Sequence, residues 1–131
     1  MVQRITSGAI EMTWEEEKRL ATLRFAEETR ATGKDAALLV DALTRWIGGD
    51  GQPFALLGDG GKLAGVDAEY RTLWGRFFKQ HRDHASIAFF NMGPLIRVAA
   101  EMFRLGTGLH VKAFADEDRA RTWLRGLGIG A

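Results

Sequence analysis

Residues 109–124 read LHVKAFADEDRARTWL, a strand pattern followed directly by a helix pattern. Leu109–Ala115 is short and rich in apolar residues, which favours a buried strand. Asp116 is a preferred N-cap residue type, so we predict a helix that begins just after it. The apolar residues that follow recur at three- and four-residue steps and share one helical face: Ala120, Trp123, Leu124 and Leu127. This stretch therefore predicts a strand–helix unit whose helix docks onto a sheet, with Trp123 as its anchor.

Two further strand–helix units precede this one. In the first, the apolar run Pro53–Leu57 is followed by a glycine-rich loop and by an amphipathic helix that ends near Arg82. In the second, Ser86–Phe90 leads to a helix over Leu95–Leu105. Pro94 suits the first position of that helix, because its missing N–H would be unpaired there in any case. Strands that are joined by helices favour a mainly parallel sheet with right-handed crossovers.

The first third of the chain predicts a hairpin and one more helix. Gly8–Trp14 alternates apolar and polar residues, and Ala21, Leu23 and Phe25 continue the same two-residue period after a polar turn. These two strands form an antiparallel pair in the prediction. The helix that follows opens at 33–35 and stops at a pair of glycines, 48–49. The predicted class is therefore α/β, with five strands and four helices.

The composition excludes several classes of protein. The chain has 131 residues, which predicts one domain over 1–131 with a core over about 8–127. It has no cysteine, so disulfides, thiolate catalysis and sulfur-based zinc sites are excluded. The 18 basic and 17 acidic side chains leave a net charge of +1, which does not favour nucleic-acid binding. No apolar stretch is typical of a signal peptide or a membrane span. We therefore expect a cytoplasmic protein without nucleic-acid binding or membrane insertion.

The element order and the closing Asp116-Glu117 and Trp123-Leu124 pattern resemble the STAS superfamily, the sulfate transporter and anti-sigma factor antagonist fold. The chain is most similar to its SpoIIAA-like branch, over roughly residues 8–127. The resemblance implies one domain in which four helices pack against a five-stranded mixed sheet. It also implies a role in binding other proteins.

The resemblance further directs attention to the start of the second helix. In signalling members of the superfamily, a Ser or Thr that follows an Asp at this place is phosphorylated, and the added charge controls partner binding. The comparable segment here is Val66-Asp67-Ala68-Glu69. Because Ala68 has no hydroxyl group, we expect the phosphorylation switch to be missing.

Four other sets of residues are candidates for sites of chemistry. The segment 58–62, GDGGK, lies between a strand and a helix, but it has neither dinucleotide-binding nor P-loop spacing, so a flexible connection is the favoured interpretation. His81, Asp83 and His84 offer metal ligands, but the two histidines are three residues apart at a helix end, and no further ligand is adjacent to this group in the sequence. We expect these histidines to interact with the last carbonyls of the helix. No serine has a nucleophile-elbow sequence, and 15–17, EEE, is a polar turn. The sequence therefore predicts no catalytic residue, no metal and no cofactor.

The third predicted helix carries more apolar residues than one sheet face needs. Its apolar residues are Leu95, Ile96, Val98, Ala99, Met102 and Phe103, and its polar strip is Arg97, Glu101 and Arg104. Core packing, a self-association face and a small apolar pocket all explain this stripe. The predicted interaction surface comprises Asp59, Lys62, Asp67, Ile96, Met102 and Phe103.

The functional hypothesis that follows is a non-enzymatic interaction or regulatory module, acting as a homodimer, whose protein partner is unknown. The alternative hypothesis is a binder of a small apolar or lipid-like ligand.

Overall fold

The structure is a computed structural model that describes residues 2–129, apart from the side chains of Leu95, Ala99 and Thr107. Its elements in chain order are β1 Val2–Ser7, β2 Ile10–Glu15, β3 Leu20–Phe25, β4 Thr29–Ala31, α1 Gly33–Ile47, β5 Phe54–Asp59, β6 Leu63–Val66, α2 Ala68–Gln80, β7 Ala85–Phe90, α3 Pro94–Thr107, β8 His110–Phe114 and α4 Glu117–Gly126. None of the helices in this described part is both long and apolar enough to cross a membrane.

Six strands form the main sheet in the order β1-β2-β3-β5-β7-β8. The predicted hairpin is confirmed, since β2 and β3 pair in antiparallel fashion with Trp14 opposite Ala21. The strands β3, β5, β7 and β8 are parallel neighbours, as the strand–helix units predict. The four predicted helices are confirmed as well.

The prediction of five strands was wrong in two places. β1 is an additional edge strand that pairs with β2, and most of its side chains are exposed, so it carries no alternating apolar signal. The predicted loop over 58–65 also contains part of β5 and the short strand β6, which pairs in parallel with β4 to form a second sheet. Both strands of that second sheet are only three or four residues long, which is too short for periodicity to reveal.

The helices are distributed unequally over the two faces of the main sheet. The connections β3–α1–β5, β5–α2–β7 and β7–α3–β8 all step in the same direction across the sheet. Right-handed crossovers of this kind put their helices on one face. α4 packs on the opposite face, where Ala120 and Leu124 join a separate core cluster with Leu57 and Phe90. The strands in the centre of the sheet are therefore covered on both sides, which explains their continuous apolar sequences.

The final helix begins as predicted but ends differently. Asp116 is the N-cap, and its carboxylate accepts a hydrogen bond from the Arg119 backbone N–H at 2.9 Å. Trp123 is half-buried and contacts Phe114, with 5.7 Å between the ring centroids, so it is a partial anchor. The placement of Leu127 on the buried face was wrong, because the helix ends before it and its side chain is 40% exposed.

Two leucines near the end of α4 provide a matched test of this packing. Leu124 is 1% exposed, whereas Leu127 is 40% exposed. We expect Leu124→Ala to lower the free energy of unfolding by about 2 to 5 kcal/mol, because it leaves a cavity in the core. Leu127→Ala is expected to change it by less than about 1 kcal/mol. Chemical denaturation of both variants measures the difference, and equal losses would contradict the described packing of α4.

Candidate functional site

An apolar cavity of about 110 Å³ lies between the main sheet, α2 and α3, and it opens to the surface. It is found near the carboxyl ends of the parallel strands, where Phe25, Gly58 and Phe89 contribute to its lining. Ligands of open α/β sheets commonly bind outside the carboxyl ends of the strands. The cavity is therefore the first candidate for a binding site.

Gly58 helps to keep this end of the sheet compact. A Cβ atom added at this glycine would lie 2.8 Å from the ring of Phe89, which belongs to the neighbouring strand β7 and also lines the cavity. Such a contact is too close for a side chain to be accepted without movement of the ring. The absence of a side chain at this position thus leaves the space that the Phe89 ring occupies in the wall.

The α2 wall of the cavity is aromatic. Tyr70, Trp74 and Phe78 follow one another at four-residue steps, so they lie along one side of the helix. The Trp74 and Phe78 rings are stacked with their centroids 5.5 Å apart, and Phe77 meets both rings edge-on. Aromatic contacts of this geometry add stability beyond the area that they bury. This wall is therefore a packed, well-defined surface.

The α3 wall shows how the broad apolar stripe of this helix is used. Ile96, Ala100 and Phe103 line the cavity and recur at the spacing of one helical face. Two of the residues predicted as an interaction surface, Ile96 and Phe103, therefore face inward. Leu95 and Ala99, which were predicted to extend the same stripe, lie outside the described side chains.

A second apolar row lies on the opposite side of α3. Val98, Met102 and Leu105 are 58%, 67% and 69% exposed. Each of them follows a cavity-lining residue of α3 by two positions, which places it on the other side of the helix. We call these three residues the outer ridge. Met102 was predicted as an interaction residue, whereas Leu105 was missed. The spacing of 98, 102 and 105 is the signal that would have revealed it.

The polar strip separates the outer ridge from the cavity wall along one side of α3. Glu101 and Arg104 form an ion pair within it, which lowers the pKa of the Glu101 carboxyl through the hydrogen bond from Arg104. Arg97 is exposed on the same strip. The helix thus presents apolar residues to the sheet and to the solvent, with charged residues between them.

Two polar groups lie within the aromatic wall. Burial raises the pKa of the Tyr70 hydroxyl well above its ordinary value, while the adjacent Trp74 indole N–H acts in the opposite direction. The Trp74 Nε1 atom is buried and has no hydrogen-bond partner among the described residues. The two side chains are in contact, with ring centroids 6.4 Å apart. Tyr70 therefore stays neutral.

The start of α2 is built without a phosphorylatable residue at its first position. Ala68 is the first residue of the helix, and Asp67 is its N-cap. The Asp67 carboxylate accepts hydrogen bonds from the backbone N–H of Tyr70 at 2.7 Å and of Gly33 at 3.2 Å. Thr72 lies one turn further along and donates to the Ala68 carbonyl at 2.9 Å. Asp67 thus links the N-termini of α2 and α1.

Asp59 is the last residue of β5, and Lys62 lies in the connection between β5 and β6. The Asp59 carboxylate accepts a hydrogen bond from the Gly61 N–H at 2.9 Å, and it is 3.8 Å from the Arg24 guanidinium. The Lys62 ammonium donates to the carbonyl of Ala26 at 3.2 Å. Both side chains hold this connection in place. The segment that was interpreted as a flexible loop is accordingly a turn between two strands.

The histidines after α2 contact each other. The Nδ1 atom of His81 lies 3.2 Å from the Nε2 atom of His84, and the ring centroid of Phe54 lies within 6 Å of both histidine rings. The described residues contain no group of three potential metal ligands. The expected contact of these side chains with the last helix carbonyls is replaced by this aromatic cluster. Burial and the neighbouring His84 both lower the pKa of His81.

This lowered pKa predicts a pH dependence of stability. The unfolded chain binds a proton at His81 below about pH 6.5, the ordinary pKa of histidine, whereas the folded chain resists protonation there. The free energy of unfolding should therefore fall as the pH decreases through this range. Denaturant titrations between about pH 7 and pH 5 measure the slope.

The control pair for this measurement is His81→Gln and His110→Gln, since His110 is exposed on β8. Loss of His81 should flatten the slope, and loss of His110 should preserve it. An unchanged slope in His81→Gln would show that another group is responsible.

Comparisons with solved structures show the same fold in two other proteins. An uncharacterised protein with a SpoIIAA-like fold from Shewanella loihica PV-4 is 17% identical, with a TM-score of 0.64 over 95% of this chain and 92% of that chain. The structure of apo-SiaC from Pseudomonas aeruginosa is 9% identical, with a TM-score of 0.62 over 88% of this chain and 99% of that chain. At these identities the similarity concerns the fold alone.

Comparison with curated proteins gives no match. The family model described as SpoIIAA-like, in contrast, matches residues 22–125. This range starts within β3 and ends within α4, so it includes all four helices and the parallel part of the main sheet. The chain therefore belongs to the SpoIIAA-like family.

Proposed function

We propose that this chain is a non-enzymatic, cytoplasmic interaction module with a regulatory role, and that it forms a homodimer through the outer ridge. The observation that carries this proposal is the exposure of Val98, Met102 and Leu105 in one row on α3. Adjacent large apolar side chains on a protein surface are typical of interfaces. Met102 adds a flexible, polarisable side chain that adapts to the surface of a partner.

The charges beside the ridge would form the rim of the proposed interface. Arg97 and the Glu101–Arg104 pair run parallel to the outer ridge along α3. The apolar row would then form the centre of the interface and the charged strip its rim, as in most protein interfaces.

The regulatory role that we propose does not use phosphorylation at the start of α2. Ala68 has no hydroxyl, and the adjacent Asp67 carboxylate is engaged by two backbone N–H groups. Control of partner binding would instead depend on protein concentration or on occupancy of the cavity behind α3.

The homodimer is tested by placing a charge on the ridge. Met102→Glu should dissociate the dimer, because a carboxylate buried at an interface loses its solvation, while in the monomer it stays in water. Leu38→Glu is the matched control, since Leu38 is an exposed apolar residue on α1, away from the ridge. Light scattering after gel filtration gives the mass of each species, and circular dichroism verifies the fold.

The expected result is a dimer for the unaltered chain and for Leu38→Glu, and a monomer for Met102→Glu. A monomeric unaltered chain at high concentration would refute the homodimer. A dimer that survives Met102→Glu would place the interface elsewhere.

We also propose a second function, the binding of a small apolar ligand, because the cavity under α3 specifically favours it. Its volume of about 110 Å³ approaches that of an engineered apolar cavity of about 150 Å³ that binds benzene. Its walls are mostly aliphatic and aromatic, as in most ligand pockets. A molecule of this kind would bury its surface against α2, α3 and the sheet.

Native mass spectrometry tests the second function. The unaltered chain should retain a small apolar molecule from the cell or take one up when it is added. Ala100→Leu should abolish this binding, because the larger side chain fills the cavity. Val98→Leu on the outer ridge is the control and should leave binding unchanged. Retention of the molecule by Ala100→Leu would rule out this cavity as its site.

A further inference from the structure

Arg71 of α2 is the one exposed residue among the described residues that line the cavity under α3. The other lining residues are buried or half-buried, so Arg71 marks the place where the cavity opens to the solvent. Arginine side chains commonly pack their aliphatic stem along apolar surface and keep the guanidinium in water. A ligand with its apolar part inside the cavity would therefore have its outer end beside a positive charge.

The charge of Arg71 is not compensated by its own chain. Its guanidinium forms no ion pair with any of the residues that the structure describes. The acidic side chains nearest to it in the sequence are engaged elsewhere. The Asp67 carboxylate accepts hydrogen bonds from two backbone N–H groups, and the Glu69 side chain packs against Gly33 at the start of α1. The guanidinium is therefore available to an anion from outside the chain.

Asp59 is the other charged residue in the described lining, and its charge is already balanced. Its carboxylate lies 3.8 Å from the Arg24 guanidinium and accepts a hydrogen bond from the Gly61 N–H at 2.9 Å. Arg24 also pairs with Glu117, which is bound in turn by Arg121. Two cations thus face two carboxylates in this cluster. The excess charge at the cavity is consequently the single positive charge of the arginine at its mouth.

These charges and the size of the cavity define the class of ligand. The interior is mostly apolar and measures about 110 Å³, which suits a short alkyl chain or one ring. A head group with one negative charge would be attracted to Arg71 and would keep its contact with water, so it avoids the cost of burying a charge. A second negative charge, as on a phosphate monoester, would be repelled by the Asp59 carboxylate. A carboxylate is therefore the favoured head group.

We propose that the cavity binds a small amphiphilic carboxylate, with its apolar chain or ring inside and its head group at the mouth beside the Arg71 guanidinium. The apolar part supplies most of the affinity, because it leaves water, and Arg71 supplies the preference for a negative charge. This inference rests on the second function proposed above and specifies its ligand class.

Three probes with the same chain length and different charge test the inference. Hexanoate is negative, hexanol is neutral and hexylamine is positive at about pH 7. The unaltered chain should bind hexanoate about three- to tenfold more tightly than hexylamine, since an exposed ion pair gained and a repulsion avoided together contribute a factor of this size. Ligand-observed NMR titration gives the three dissociation constants. The preference should weaken at high salt, because salt screens exposed charges.

A matched pair of charge reversals on α2 identifies the cation. Arg71→Glu should make hexylamine bind more tightly than hexanoate and leave hexanol affinity unchanged, because the cavity itself is not altered. Arg76→Glu is the control, since Arg76 is exposed on the same helix and does not line the cavity. It changes the net charge equally and should preserve the preference for hexanoate. Both residues are exposed, so we expect both variants to fold, and circular dichroism verifies this.

The outcomes separate this inference from the function on which it rests. Failure of all three probes to bind, or binding that Ala100→Leu does not abolish, would overturn the second proposed function together with the inference. Equal or tighter binding of hexylamine by the unaltered chain, or an unchanged preference in Arg71→Glu, would leave the cavity as a binding site and overturn the role of Arg71. Tighter binding of hexyl phosphate than of hexanoate would overturn the carboxylate class.

Discussion

The handedness of three crossovers is the constraint on which the rest of this structure depends. The connections through α1, α2 and α3 step in one direction across the sheet. Since crossovers between parallel strands are right-handed as a rule, all three helices share a face of the sheet. α2 and α3 consequently become neighbours over the carboxyl ends of the central strands. The cavity, its aromatic wall and the outer ridge all follow from this arrangement.

The position of α3 joins the two proposed functions. One side of this helix covers the cavity through Ile96, Ala100 and Phe103, and the other side presents the outer ridge to the solvent. In the two functions that we propose, a molecule in the cavity and a second copy of the chain would contact opposite sides of the same helix. Occupancy of the cavity would then be a means of control that does not require phosphorylation at Ala68.

The candidate site was predictable from the sequence to different degrees. The apolar spacing of the sequence predicted that α2 is an amphipathic helix, and the stripe on α3 predicted that this helix does more than cover the sheet. The contact between the Tyr70 and Trp74 rings was not predictable, since the periodicity of these residues is the same as that of ordinary core residues. Asp59, Lys62 and Asp67 were predicted as interaction residues, and the structure shows each of them in a contact within the chain.

The sequence alone determined the type and order of most elements, because local signals specify them. Asp116 and Pro94 indicate where helices begin, and the apolar spacing distinguishes helices from strands. Only the tertiary structure decided the pairing of β1 with β2 and of β4 with β6, since β1, β4 and β6 have no side-chain pattern that the sequence reveals. It also decided which side of α3 is buried. The sequence shows that Ile96 and Met102 are both apolar residues of one helix. Only the packing of that helix against the sheet determines that Ile96 lines the cavity and that Met102 is exposed to the solvent.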